Sequence, residues 1–452
     1  DFVYPSFSNG YPEGGSPTYY ENTSRSMNGY FNLGYSFDDR YLMDFSLREN
    51  GSSVFGASKR YIGTWSVGLG WNLHKERFIA DHLTWIDFLK LRASIGNPGN
   101  QNFSSSKTLT TFNFQLASMN YFGMGAVLNQ LGNPDLDWQI TLDKNIGIDM
   151  TLIDKRLNIT ADYYHKVTDP LLINISMPLS SGTSSYLTNM GKQISQGLTL
   201  SASYYIIQKL DQRFSWLVRG NLRTQKTKLD KIGNKLDELN KSGQGHNTVR
   251  YYNGADPDDI WAVKSAGIDP STGRELFYDK EGNYTYDFSY DNEVICGDTG
   301  PKIEGVIGTS LNYKGFSVSM NFRYQTGASV FNEALFNKVE NISVSGLNKN
   351  QDKRALYERW QNPGDKVRFK DIANAASTPM SSRFIQKENV LSMESVYVGY
   401  EFYEGWIKKI GLSNLKIQAS MRDVFRASTI KSERGTLYPF ARSLELGLSF
   451  NF

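Results

Sequence analysis

The chain closes on an eleven-residue stretch, Arg442 to Phe452, whose side chains alternate without a break. Leu444, Leu446, Leu448, Phe450 and Phe452 fall on one face; Ser443, Glu445, Gly447, Ser449 and Asn451 fall on the other. Period-2 alternation predicts a strand with one apolar and one polar face. It runs to the last residue, where a water-exposed aromatic edge would recruit other chains. A strand of about 9–11 residues instead suits a membrane β-barrel, with lipid on one side and polar groups on the other.

The same rhythm recurs along the chain. Met27 to Phe37 alternates with Asn28, Tyr30, Asn32, Gly34 and Ser36, and Tyr41 to Leu47 follows across an Asp38-Asp39 turn. Strands are then predicted around Tyr61–Asn72, Leu89–Ile95, Trp138–Thr151, Leu157–Tyr163, Leu198–Ile206 and Phe214–Arg223. A hairpin turns at Tyr313-Lys314-Gly315, and Val396–Phe402 and Leu415–Arg422 precede the closing strand. The sum is about thirteen strands, with boundaries uncertain by about 2–4 residues. Lys144 interrupts the apolar face of its strand and has no explanation in the sequence alone.

The connections alternate in length. They are short at Asp38, Asp154, Lys209, Lys314 and Gly411, and medium over 74–86. They are long near 97–135, 167–196, 227–302 and 327–389. Short turns at one end and long loops at the other are the outer-membrane barrel pattern, whereas sandwich loops rarely exceed about 12–15 residues. The predicted fold is an all-β, transmembrane antiparallel barrel over 26–452, preceded by an extracellular loop over 1–25. Its long loops face outward, and its C-terminus lies in the periplasm of a Gram-negative cell.

Composition agrees. Of 452 residues, 39% are hydrophobic and 13% aromatic, as expected where every second strand residue is apolar and aromatics gather at the interfaces. No apolar run is long enough for a transmembrane helix. The net charge of +3 gives no reason to expect a nucleic-acid partner. Cys296 is the one cysteine, so no internal disulfide is possible. His74, His82, His165 and His246 lack metal-ligand spacing, and Asp256-Pro-Asp-Asp259 lacks the spacing and glycine of a calcium loop. No nucleophile–base signature or phosphate-binding glycine loop is present, so neither an enzyme nor a cofactor is expected.

Candidate binding residues fall into two sets. Arg48, Arg92, Asp143, Asp149, Arg219, Arg223 and Arg323 lie on predicted polar faces and would line a lumen. Tyr251, Tyr252, Trp261 and Trp360 lie in long loops, where they could stack on sugar rings or side chains of a substrate. Packing of the loops against one another is the favoured role for these rings.

Several ordered motifs resemble the SusC/RagA type of TonB-dependent outer-membrane transporter. Arg48-Glu-Asn-Gly-Ser-Ser-Val-Phe-Gly56 is similar to that family's R-x-D-G-S-S-x-F-G, and Leu89-Lys-Leu-Arg-Ala-Ser-Ile-Gly-Asn-Pro-Gly-Asn-Gln101 to its L-K-L-R-x-S-x-G-x-x-G-N-Q. Asn133-Pro-Asp-Leu-Asp-Trp138, Tyr163 to Leu172, Gly267-Ile-Asp-Pro-Ser-Thr-Gly273 and Tyr313-Lys-Gly-Phe316 extend the match in order. Glu49, Gly63-Thr64-Trp65 and Ser195-Gln196-Gly197 depart from the family pattern.

The resemblance implies the C-terminal part of a barrel of about 22 strands, with a plug and about nine N-terminal strands on a second polypeptide. It implies TonB and a SusD-like lipoprotein as partners beside the membrane lipid. It implies energised import of oligosaccharides, or of peptides. Phe452 resembles the terminal aromatic that marks barrel proteins for membrane insertion. The competing expectation is a SusC-like barrel serving as a structural subunit of a larger outer-membrane assembly, without import.

Overall fold

The computed structural model describes residues 23–53, 60–100, 108–121, 123–177, 179–183, 185–209, 211–342, 346, 348, 350–374, 376–402, 405–430 and 442–452. Most of the loop expected over 1–25 therefore lies outside the described residues, as do the ends of the Arg48–Gly56 and Leu89–Gln101 motifs.

Thirteen long strands form one antiparallel sheet in which every strand pairs with its neighbour in this order. They are β1 (Ser26–Phe37), β2 (Tyr41–Ser52), β3 (Tyr61–Asn72), β4 (Ile86–Gly96), β5 (Gln139–Leu152) and β6 (Leu157–Thr168). Then come β7 (Lys192–Lys209), β8 (Phe214–Asp230), β9 (Ile303–Tyr313), β10 (Phe316–Phe331), β11 (Ile385–Phe402), β12 (Asn414–Ser428) and β13 (Leu444–Asn451). The predicted strands are thus borne out in number and order. Several run further than predicted: β7 begins at Lys192, β8 continues to Asp230, and β11 begins at Ile385.

Local chemistry sets the tight turns. Asp38 and Asp39 sit at φ 53° and 50° between β1 and β2, and Lys314 and Gly315 at φ 47° and 91° between β9 and β10. These left-handed conformations match the twist of the flanking strands and suit Asp and Gly.

The sheet has no core of its own. Its apolar face is bare: Phe31 is 55% exposed, Ile146 65% and Leu446 78%. An apolar face of this extent is stable only against lipid. Near the short turns the aromatics gather, with Tyr41 stacked between Phe37 and Trp71 (ring centroids 6.5 and 6.2 Å) and Phe214 against Tyr313 at 5.1 Å. Such a girdle fits a membrane–water interface. Phe452, 89% exposed, lies at this end beside Phe450.

Most of the buried apolar residues lie instead in the long connections. One cluster joins Leu171 and Met190, between β6 and β7, to Leu229, Ile232 and Leu236 at the end of β8. Another joins Leu335, Val339, Ala355, Phe369 and Phe384, between β10 and β11. The connections are thus packed bodies carrying their own small antiparallel sheets, among them Asp259–Val263 with Glu293–Asp298.

Candidate functional site

The polar face of the sheet carries all seven predicted lining residues, and the structure supplies partners for most of them. Arg92 on β4 donates to Asp149 on β5 (Nε–Oδ2 2.6 Å, Nη2–Oδ1 3.0 Å) and reaches past β5 to Asp162 on β6 (3.0 Å). The bridge spans three strands because Gly147 stands between Arg92 and Asp162 in register. A Cβ there would lie 2.3 Å from Asp162 Oδ1 and 2.9 Å from Arg92 Nη2.

The same device recurs further round. Arg219 on β8 crosses Gly308 on β9 to donate to Asn321 on β10 at 3.1 Å. Asp143 pairs with Lys166 at 2.9 Å, Arg223 with Glu304 at 3.4 Å, and Arg323 with Glu394. Arg48 makes no ion pair among the described residues and borders a recess of about 480 Å³ with Arg92, Asp143 and Asn145. The outcome is a wall of fixed, mixed charge, polar enough to hold water.

Above the sheet, the connections from β8 to β9 and from β10 to β11 are locked together by a buried ion cluster. Arg383 donates to Glu340 (2.6 and 3.2 Å) and to Glu275 (2.8 Å). Glu340 also accepts from Thr378 Oγ1 at 2.9 Å, and Glu275 from Ser381 Oγ at 2.5 Å. The side chains of Arg383, Glu275 and Glu340 are 9%, 7% and 0% exposed, and the buried cations Arg359 and Lys370 act on the same carboxylates. Burial works against the Arg383 cation, but Glu275 and Glu340 outweigh it and raise its pKa.

Arg359, also buried, donates to the carbonyls of Glu340 (3.1 Å) and Lys370 (3.0 Å), and burial lowers its pKa. A second seam has Arg250 forked onto Glu293 at 2.7 and 2.8 Å. These groups are far apart in sequence, and sequence reasoning passed over all of them; the one local hint was an Arg beside Phe at Arg383-Phe384.

The four loop aromatics separate. Trp360 covers Gly273 and donates Nε1 to the carbonyl of Pro270 at 2.9 Å, fastening the two connections. Tyr251 packs on the Leu171–Leu236 cluster. Tyr252 and Trp261 meet with ring centroids 4.9 Å apart, and Tyr252 keeps 39% of its surface exposed. The structure therefore leaves Tyr252 and Trp261 as a joint apolar surface and puts Trp360 and Tyr251 to packing. Asp269 closes the Gly267–Gly273 turn: the Tyr286 hydroxyl, then the Ser271 amide and hydroxyl, hold its carboxyl well below the ordinary carboxylate range.

Comparison with known proteins places this arrangement. The family described as "TonB dependent receptor-like, beta-barrel" matches residues 1–348. The TonB-dependent receptor P39 of Formosa agariphila is 26% identical over 470 residues, covering 92% of this chain and 44% of that protein. The TonB-dependent receptor SusC of Bacteroides thetaiotaomicron is 26% identical over 457 residues, covering 95% of this chain and 44% of SusC. The chain thus spans less than half the length of these relatives. Among solved structures, the RagAB peptide importer in its open-open state superposes with a TM-score of 0.79 at 21% identity, over 95% of this chain and 47% of that one. That likeness shows a shared fold. With the family match covering most of the chain and the thirteen-strand sheet bearing it out, this chain belongs to the TonB-dependent receptor β-barrel family, as the SusC-like part of such a barrel.

Proposed function

We propose that this chain forms the C-terminal wall of an outer-membrane importer driven through TonB, and that its cargo is oligosaccharide, with peptide as the other class. Short turns face the periplasm, and the packed connections face the outside. The polar face, with Arg48 and the Arg92–Asp149–Asp162 bridge, lines the lumen and holds the plug and passing cargo by hydrogen bonds and charge. The observation that carries this reading is the pairing of two features: a lipid-compatible sheet, and loops fastened into a rigid body by Arg383, Glu275 and Glu340. Loops built this way give a fixed rim on which a SusD-like lipoprotein closes and opens. The Tyr252–Trp261 pair, with Tyr252 exposed and Trp261 half-buried, is an apolar surface of the kind that stacks on a sugar ring.

The two ends of the sheet support a second polypeptide or segment in the native assembly. β1 and β13 each pair on one side only among the described residues, and open edges are not tolerated in lipid. Extraction of the native assembly in mild detergent, with mass spectrometry of its polypeptides, tests the reading. The expected result is this chain together with a plug, a TonB-box, the remaining strands and a SusD-like lipoprotein. Recovery of the barrel without plug or TonB-box would exclude import and leave a scaffold.

A further inference from the structure

Lys144, the residue that breaks the apolar face of β5, does not stand alone. Cross-strand register sets it opposite His165 on β6, His165 opposite Gln196 on β7, and Gln196 opposite Lys226 on β8. One register further, Lys228 stands opposite Ile194 on the same face. Lys144, Gln196, Lys226 and Lys228 are all exposed. Among the described residues none of the three lysines makes an ion pair.

Carboxylates are missing between Lys144 and Lys228; Asp230, opposite Lys192, stands one outward position beyond Lys228. The outward positions from Ile140 to Met150, Leu157 to Val167, Ile194 to Tyr204 and Trp216 to Lys228 hold no Asp or Glu. The polar face behind them shows the opposite habit, with its cations matched to acids as in Lys166–Asp143 and Arg223–Glu304.

Height completes the picture. Lys144 lies eight residues before the end of β5 at Leu152 and Lys226 twelve residues after the start of β8 at Phe214, both counted from the short-turn end. At about 3.3 Å per residue and a tilt of about 40°, these distances place them about 20 and 30 Å above the turns. The apolar band of such a barrel is about 25 Å tall. The row therefore climbs from the upper part of the band, about 5 Å below its edge, into the headgroup layer. A lysine there extends its ammonium upward to the headgroups, and clustered lysines beside a membrane select anionic lipid.

We propose that the outer face of β5–β8 holds a phosphate-bearing lipid of the extracellular leaflet, its acyl chains on Ile146, Ile148, Leu198 and Leu200 and its phosphates on Lys144, Lys226 and Lys228. The inference rests on the orientation given under the proposed function. The test uses cells carrying the intact protein, the triple variant K144Q/K226Q/K228Q, or the charge-keeping variant K144R/K226R/K228R. Complexes are extracted in mild detergent, folding is checked by heat-modifiable mobility, and phosphorylated lipid per complex is counted by native mass spectrometry.

The intact and arginine forms are expected to retain the lipid, and the glutamine form on the order of ten-fold less. Excess inorganic phosphate is expected to leave retention unchanged. Equal retention by the folded glutamine form would overturn the proposal, and so would stripping by inorganic phosphate, which would reduce the row to a free-anion site. Labelling of a Ser271→Cys variant that also carries Cys296→Ser, on whole cells by an impermeant thiol reagent, separates the two readings. No labelling would overturn the orientation itself; labelling with unchanged lipid would overturn the lipid site alone.

Discussion

Replacing Arg383 with methionine is expected to unfold the long-connection body while sparing the barrel. The methylenes of the side chain are kept, but Glu340 and Glu275 lose the cation that two connections converge on. Removing one partner from a buried pair costs about 3–5 kcal/mol, because the charges left behind are not hydrated; Arg359 and Lys370 offset only part of that cost. Limited trypsin digestion of the folded complex reads the outcome. Cleavage within 332–384 should become rapid, and the barrel should keep its heat-modifiable mobility. Adding Glu275→Gln and Glu340→Gln to the same chain should restore much of the resistance, since the glutamine carbonyls still accept from Ser381 and Thr378. Unchanged resistance in the single variant would remove the ion cluster from the account of rim rigidity.

Gly305→Ala is the second large effect, and it strikes the barrel. A Cβ at Gly305 would stand 2.0 Å from the carbonyl oxygen of Asn221 and 2.7 Å from the Tyr324 hydroxyl. The β8–β9 ladder already skips here, passing from Gly220↔Ile307 to Arg223↔Glu304. Two side-chain bonds span the gap. The Tyr324 hydroxyl donates to Asn221 O at 2.9 Å, and Asn221 Oδ1 accepts from Val306 N at 2.7 Å. The methyl group would force the strands apart at about 1–3 kcal/mol, and losing the tyrosine bond adds about 1 kcal/mol. The measurement is the melting temperature of the heat-modifiable band, against Gly220→Ala as control. A Cβ at Gly220 meets nothing nearer than 3.7 Å, so only the Gly305 variant should melt early. Equal melting would mean that the seam relaxes freely.

Lipid made the strands legible in the sequence. Within the apolar band every second residue must be apolar, so Ile146, Ile148 and Met150, or Leu198 and Leu200, announce their strands. Beyond the band that demand ends. Lys192-Gln-Ile-Ser-Gln196 and Thr224-Gln-Lys-Thr-Lys228 show no clean alternation, yet both are paired strand. Their ladders are held by backbone bonds, which the side chains do not advertise. Arg92, Asp149 and Arg219 were legible as polar-face positions; their partners were not. Those partners follow from register across three strands, with Gly147 and Gly308 leaving the room.

The rim was hidden for a related reason. Glu275 and Arg383 are 108 positions apart, and no local pattern joins them. Lys144 stood out in the sequence as an exception and gained a meaning only beside Lys226, three strands away in the sheet.

The central claim is TonB-driven import. The measurement that tests it most directly is uptake of a labelled panel of oligosaccharides and peptides by cells with the intact protein, cells lacking it, and cells with the protein but no TonB. The account predicts that at least one member of the panel enters only when both the protein and TonB are present. Uptake of every member unchanged by loss of the protein, or dependent on it but indifferent to TonB, would contradict the account.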